Sequence, residues 1–351
     1  MIETLGVLSP IPGISGREDA VREAVLDRVA PYVDEASVDS MGNLDCVKRS
    51  KNGHGEKVMV CAHMDEVGLM VAQIDSNGLL KCRTVGGIDP RVLTAQRVRV
   101  GQDNIPGVIG MKPIHLSKPE ERTKNPKIQD LSVDVGGSSK EETEKWIKVG
   151  DGATFDTKFE PVGDLVKGKA FDDRMGCAVL VELLKEAFPF ELHGVFTVQE
   201  EVGLRGAKVA GYRINPRVCV TLEGTICDDL PDDKDRGRTT RLGDGAVITL
   251  RDRSVVCDRR LVSVLMKVAE RDEIPFQWKR PLAGGTDAGS VHLSREGIPS
   301  CVVSTPCRYI HSPASMASPE DAEAVVRLVR NSLEELCSVA GEIDGRSNWK
   351  T

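Results

Sequence analysis

Acidic residues and histidines recur in this sequence in short motifs whose chemistry points to bound divalent cations. Ala62-His63-Met64-Asp65-Glu66-Val67-Gly68 places an imidazole two residues ahead of a carboxylate. A ligating histidine needs its second ring nitrogen held by an acceptor, which fixes the tautomer, and Asp65 is a candidate for that task. Taken alone, a histidine at such a position is more often structural than a metal ligand. Ala170-Phe171-Asp172-Asp173-Arg174-Met175-Gly176 is an acidic pair opening a helix. Helix capping accounts for one aspartate there and leaves the second unexplained. A carboxylate shared by two cations accounts for the concentration of charge. In Gln199-Glu200-Glu201-Val202-Gly203 two adjacent glutamates repel unless a cation or proton relieves them. Their side chains leave a strand end in different directions, so one can bind metal while its neighbour stays free as a base. A solvated acidic turn is the plainer alternative. Leu222-Glu223-Gly224-Thr225 and Tyr309-Ile310-His311-Ser312-Pro313 complete the set; the chain has only six histidines, at 54, 63, 115, 193, 292 and 311. His63, Asp172, Glu201, Glu223 and His311 together offer two imidazoles and three carboxylates. That nitrogen and oxygen set suits zinc, cobalt or manganese. Two cations sharing one bridging carboxylate would use it fully.

Four apolar runs position these residues. Lys57–Ala62 stops at His63, 194–198 stops at Gln199-Glu200-Glu201, 218–222 stops at Glu223, and 300–304 ends a few residues before His311. Continuous apolar runs of this length read as buried parallel strands. Ligand sites in open α/β sheets form at the C-terminal edge. Helices separate the strands, clearest over 176–187 and 259–269, so an α/β sheet with helices on both faces follows. Ser15 with Glu18 three residues later reads as a capping box ahead of another helix. From about Val71 to Leu165 the pattern changes to short alternating segments (79–85, 97–100, 107–110) broken by glycine and proline. That predicts an inserted β-rich domain with one short helix at 138–146. Segments 117–129 and 226–240 read as variable, the first as a mobile polar loop.

Composition narrows the classes. Net charge is −7, with a pI of about 5.6, and both nucleic acid and anionic membranes require a basic face. No run approaches the roughly 18 apolar residues of a membrane span, and the first residues carry no export signal, so the expected location is the cytoplasm. Ten scattered cysteines form no CxxC pair and read as buried thiols. Gly284-Gly285-Thr286-Asp287-Ala288-Gly289 lacks the flanking elements of a nucleotide loop and reads as a close backbone approach near substrate or a subunit contact. No GxSxG supports a serine nucleophile. A glycosidase would want aromatic platforms, and aromatics are 4% of the chain. A metal-dependent scaffold without catalysis would have no use for Glu200.

The ordered series PGISGRE (12–18), MGNL (41–44), AHMDEVG (62–68), GVIGMKPIHL (107–116), VGDGATF (149–155), KAFDDRMG (169–176), QEEVGLRGA (199–207), LEGT (222–225), GGTDAG (284–289) and YIHSP (309–313) resembles the glutamyl (deblocking, TET-type) aminopeptidase family of di-metal peptidases, also labelled endoglucanase M. The resemblance covers nearly the whole chain. It implies a three-layer α/β/α catalytic domain, phosphorylase/hydrolase-like, formed by 1–70 and 166–351, with 71–165 as an inserted dimerisation and assembly domain. It implies two divalent ions, Zn²⁺, Co²⁺ or Mn²⁺, held by His63, Asp172 as the bridge, Glu201, Glu223 and His311. Glu200 would be the general base and Asp65 the group orienting His63, with a cis peptide after Asp172. The implied activity is removal of N-terminal residues from short peptides, in a tetrahedral dodecamer built from dimers.

Overall fold

Four parallel strands form the centre of an eleven-stranded mixed sheet, in the spatial order Glu191–Thr197, Lys57–His63, Val218–Cys227 and Ser300–Arg308. The computed structural model describes residues 1–50, 55–230, 239–280 and 283–344, and, within these, not the side chains of 121–122 and 342–344. Of the variable segment 226–240, residues 231–238 therefore lie outside the described residues. Antiparallel strands extend the sheet on both sides: Leu44–Lys48 and Glu35–Val38 beyond one edge, Ser315–Ala317, Leu165–Gly168 and Glu160–Val162 beyond the other. Ala246–Thr249 pairs antiparallel with Ser300–Arg308 and parallel with Phe276–Lys279.

The central runs are apolar throughout because both faces are covered. Val58, Val60 and Ala62 join one core with residues of the helices Asp19–Val29, Phe171–Leu183, Arg259–Arg271 and Pro319–Asp344. Met59 and Cys61, pointing the other way, pack with Ala207, Ala210 and Ile214 of the helix Arg205–Ile214 and with Val291 of Ala288–Val291. This is the three-layer α/β/α arrangement the sequence implies. All ten cysteines are free and nine are buried, as small apolar side chains.

Between the first and second acidic motifs six strands close into a barrel: Gly68–Ile74, Leu80–Val85, Ser132–Asp134, Ile105–Gly110, Arg97–Val100 and Gly152–Phe155. Leu69, Val71, Leu80, Val98, Val100, Ile109, Val133 and Phe155 fill it as a separate core. The one helix expected near 138–146 is the short Lys140–Thr143, capped by the Ser139 hydroxyl accepting from the Glu142 N–H. Segment 117–129 holds a turn of helix at Pro119–Arg122 and enters the 3₁₀ turn Ile128–Asp130.

Two local expectations need correction. The Ser15–Glu18 pair is not a capping box: the helix begins at Asp19, with Glu18 at its N-cap and no side-chain cap bond. Glu18 instead accepts from the Gly16 N–H, and the Ser15 hydroxyl turns away to Asp65. The helix expected from Gly176 starts at Phe171, with non-helical angles at Asp172 and Asp173 and a cis peptide between them.

Candidate metal centre

The parallel strands carry the acidic and imidazole side chains to one edge of the sheet, and the carboxylate of Asp172 lies between the two histidines. His63 Nε2 is 3.0 Å from Asp172 Oδ1, and His311 Nε2 is 3.2 Å from Asp172 Oδ2. Glu223 Oε1 stands 3.3 Å from the His63 nitrogen, and Glu201 Oε1 stands 3.4 Å from that of His311. Glu200 Oε2 is set back, 3.9 Å from His63 Nε2. His63 ends its strand, whereas Glu223 lies inside Val218–Cys227, which runs on because its pairing with Ser300–Arg308 continues to Cys227. His311 follows a turn in which Tyr309 and His311 both have positive φ (61° and 57°), backbone angles that only surrounding contacts hold in non-glycine residues.

Each imidazole is oriented by a carbonyl. His63 Nδ1 lies 3.0 Å from the Asp65 backbone oxygen and 3.4 Å from the Asp65 carboxylate; His311 Nδ1 lies 2.8 Å from the Gly87 oxygen. A carbonyl only accepts, so Nδ1 carries a hydrogen in both rings, and Nε2 is the nitrogen that faces the carboxylates and would offer its lone pair to a cation once deprotonated. The Gly87 contact brings the barrel into the site. A β-carbon on neighbouring Gly86 would meet Val67 Cγ1 at 2.8 Å and Glu201 Cβ at 3.2 Å.

The charges are unbalanced. Burial, then the neighbouring carboxylates, pushes Glu200 and Glu223 well above the usual range, and burial together with Asp172 raises Glu201 to about 8. Burial opposes the charged form of His311, yet Asp172 and Glu201 carry it up to about 10; His63 is likewise raised, by Glu223 and Glu200. Asp172 and Asp65 are held low: for Asp172 its two imidazole partners outweigh its burial, and for Asp65 the His63 ring does so together with the Ser15 hydroxyl and the Glu200 amide. Glu201 Oε1 and Glu223 Oε2 are buried without a hydrogen-bond partner among the described residues. Buried carboxylate oxygens left unsatisfied are costly unless a cation meets them. Two sets of three donors lie within 4.8 Å of one another, His63–Asp172–Glu201 and His63–Asp173–Glu223. In the second, both oxygens of Asp173 already accept backbone N–H groups, one from His63 at 3.2 Å and one from Gly176 at 2.8 Å. The donor set and the orphaned oxygens fit divalent cations.

Sequence reasoning missed several contributors. Asp287, in the glycine-rich loop, is buried, accepts from the Thr197 hydroxyl and leaves Oδ1 without a partner among the described residues. Ser15 and Glu18 carried a misleading local signal, and Gly86–Gly87 carried none beyond glycine itself.

A family model described as M42 glutamyl aminopeptidase matches residues 42–328. A putative aminopeptidase of Acetivibrio thermocellus is 40% identical over 339 residues, 96% of this chain and 98% of that protein. An aminopeptidase structure from the archaeon Desulfurococcus kamchatkensis matches with a TM-score of 0.93 at 36% identity, covering 99% of this chain and 98% of that one. The Pyrococcus horikoshii TET1 peptidase, described as able to assemble into a tetrahedron or a large octahedral shell, matches with a TM-score of 0.83 at 33% identity over 94% and 98%. Fold, site and relatives together define a metal-dependent peptidase. The chain belongs to the M42 glutamyl aminopeptidase family and is an aminopeptidase, a hydrolase of peptide bonds.

Proposed function

We propose that this protein removes N-terminal residues from short peptides through a two-metal centre, with Glu200 as general base. The observation that carries the reading is Asp172, whose two oxygens each face a different imidazole at 3.0 and 3.2 Å, as a bridging ligand requires. His63 and Glu223 would complete one position, His311 and Glu201 the other, with zinc, cobalt or manganese all compatible with the donors. Cations bound there would supply Lewis acidity toward the scissile carbonyl and acidify a water. Glu200, set back from the imidazoles, would take a proton from the attacking water and return it to the departing amine. Asp65 orients His63. One of the metals or a nearby carboxylate would hold the substrate's α-amino group, which would restrict cleavage to the chain end.

The same reading places the protein in the cytoplasm as a homo-oligomer, a tetrahedral dodecamer built from dimers; the TET1 peptidase, described as able to assemble into a tetrahedron, supports the tetrahedral form. In this reading catalysis belongs to the body expected over 1–70 and 166–351 and assembly to the inserted domain expected over 71–165. The strand Gly68–Ile74, however, pairs within the barrel, and Glu160–Val162 within the large sheet. Among the described residues no helix is long and apolar enough to cross a membrane. The decisive experiment is Glu200→Gln. It should retain two metal ions per chain while turnover on amino-acid anilides falls roughly 10²–10⁴-fold. Near-full activity would reject the base, and fewer than two ions in the reconstituted wild type would reject the cluster.

A further inference from the structure

Three consecutive backbone amides, those of Gln199, Glu200 and Glu201, each donate to a carboxylate from elsewhere in the chain. The Glu200 N–H reaches Asp65 Oδ1 at 3.0 Å and the Glu201 N–H reaches Asp65 Oδ2 at 3.1 Å. The Gln199 N–H reaches Glu18 Oε1 at 3.1 Å. Asp65 is itself held by the Ser15 hydroxyl, which donates to Oδ2 at 2.6 Å. All three supports are buried: Ser15 is 6% exposed, Glu18 4% and Asp65 0%. Gln199 has φ +57°, a left-handed conformation that is strained for a non-glycine residue. A turn in that state keeps its shape only where its surroundings over-determine it. The support is anchored in turn, since the Gly13 N–H donates to Glu66 Oε1 and the Glu66 N–H to the Gly13 carbonyl.

From this network we infer that Ser15 and Glu18 are positioning residues of the active site. They hold the 199–201 turn so that Glu200 and Glu201 project from one fixed backbone. Ser15 works through Asp65 and reaches two amides, while Glu18 reaches the strained residue directly. Neither touches the candidate metal position, and both precede the region, 42–328, that the family model matches. The N-terminal segment is thus part of the catalytic apparatus. The inference rests on the assignment of Glu200 as base and Glu201 as ligand.

The test compares Ser15→Ala, Glu18→Ala and Glu18→Gln with the wild type and with Glu200→Gln, each as the full-length protein. Two readouts are taken: steady-state kinetics on an anilide, and hydrogen exchange of the peptide spanning 198–204 in metal-free protein. Ser15→Ala and Glu18→Ala should speed exchange in that peptide while leaving the strand Glu191–Thr197 unchanged. They should lower kcat roughly 10–100-fold with little change in KM, the scale expected when a reacting group is misplaced by about 1 Å. Glu18→Gln keeps a carbonyl acceptor for the Gln199 amide and should restore both readouts. Should Glu18→Ala lose global stability, Ser15→Ala and Glu18→Gln decide. Unchanged exchange at 198–204, or faster exchange with wild-type kcat, overturns the inference. Activity in Glu200→Gln would instead overturn the base assignment, and the exchange data would still report on the support.

Discussion

Adjacent acidic residues in this site differ in what their oxygens already hold. Asp172 directs each oxygen at an imidazole, whereas both oxygens of Asp173 accept backbone amides from the strand end and from its own helix. The first is therefore open to a cation in a way the second is not. Asp172→Asn should lower metal affinity by at least about 10–100-fold, since even outer partners of metal ligands contribute that much. Asp173→Asn should retain both ions and show its cost in thermal stability. Metal analysis after dialysis against a limiting concentration separates them, and loss of metal from Asp173→Asn alone would reverse the assignment. Residue types at or just past the ends of apolar runs marked His63, Glu200, Glu201, Glu223 and His311 as candidates in the sequence, and the acidic pair opening a helix marked Asp172, although the strand Val218–Cys227 runs on past Glu223. Which aspartate of the pair faces the imidazoles was not legible from local pattern. It depends on amides more than a hundred residues away, such as the His63 N–H bound by Asp173.

At the scale of elements, the parallel strands were visible because both of their faces are buried, and the sandwich of helices follows from that. The Ser15–Glu18 spacing misled for a physical reason: a serine three residues ahead of a glutamate suits a helix cap and a remote carboxylate equally. The tertiary contact with Asp65 decided between them. The turn after the barrel strand Leu80–Val85 was silent in the sequence, yet its Gly87 carbonyl orients His311. Gly86 there has φ +77°, with Val67 and Glu201 where a side chain would go. Gly86→Ala combines backbone strain of about 1 kcal/mol with overpacking of roughly 1–3 kcal/mol, and the yielding neighbour includes a candidate ligand. It should lower kcat/KM and metal affinity together. Gly136→Ala, at φ +84° with nothing within 4 Å, carries the backbone cost alone and is the control. Equal kinetics in the two variants would show that the barrel turn does not shape the site.

Across the whole molecule, two cores meet at a centre rich in buried negative charge. Asp65, Asp173, Glu223 and Asp287 are buried there, and Asp172, Glu200 and Glu201 stand beside them, faced by two imidazoles. The chain does bury cations nearby, but they are engaged elsewhere. Lys169 pairs with Glu66, and the Arg174 guanidinium donates to the carbonyls of Leu8, Ile11 and Met64. Among the described residues, no lysine or arginine pairs with the candidate ligands, so bound cations would supply the missing positive charge. A ligand at about 100 times its Kd adds about 2.7 kcal/mol to stability. At roughly 2–4 °C per kcal/mol for a large domain, removing two such ions should lower the melting temperature by several degrees or more. Scanning calorimetry before and after a chelator, then with zinc, cobalt or manganese restored, reads this directly. The shift should return with metal and shrink in Asp172→Asn, whose bridge is already weakened. A melting temperature indifferent to the chelator, in protein verified as metal-free, would mean that protons alone relieve the cluster.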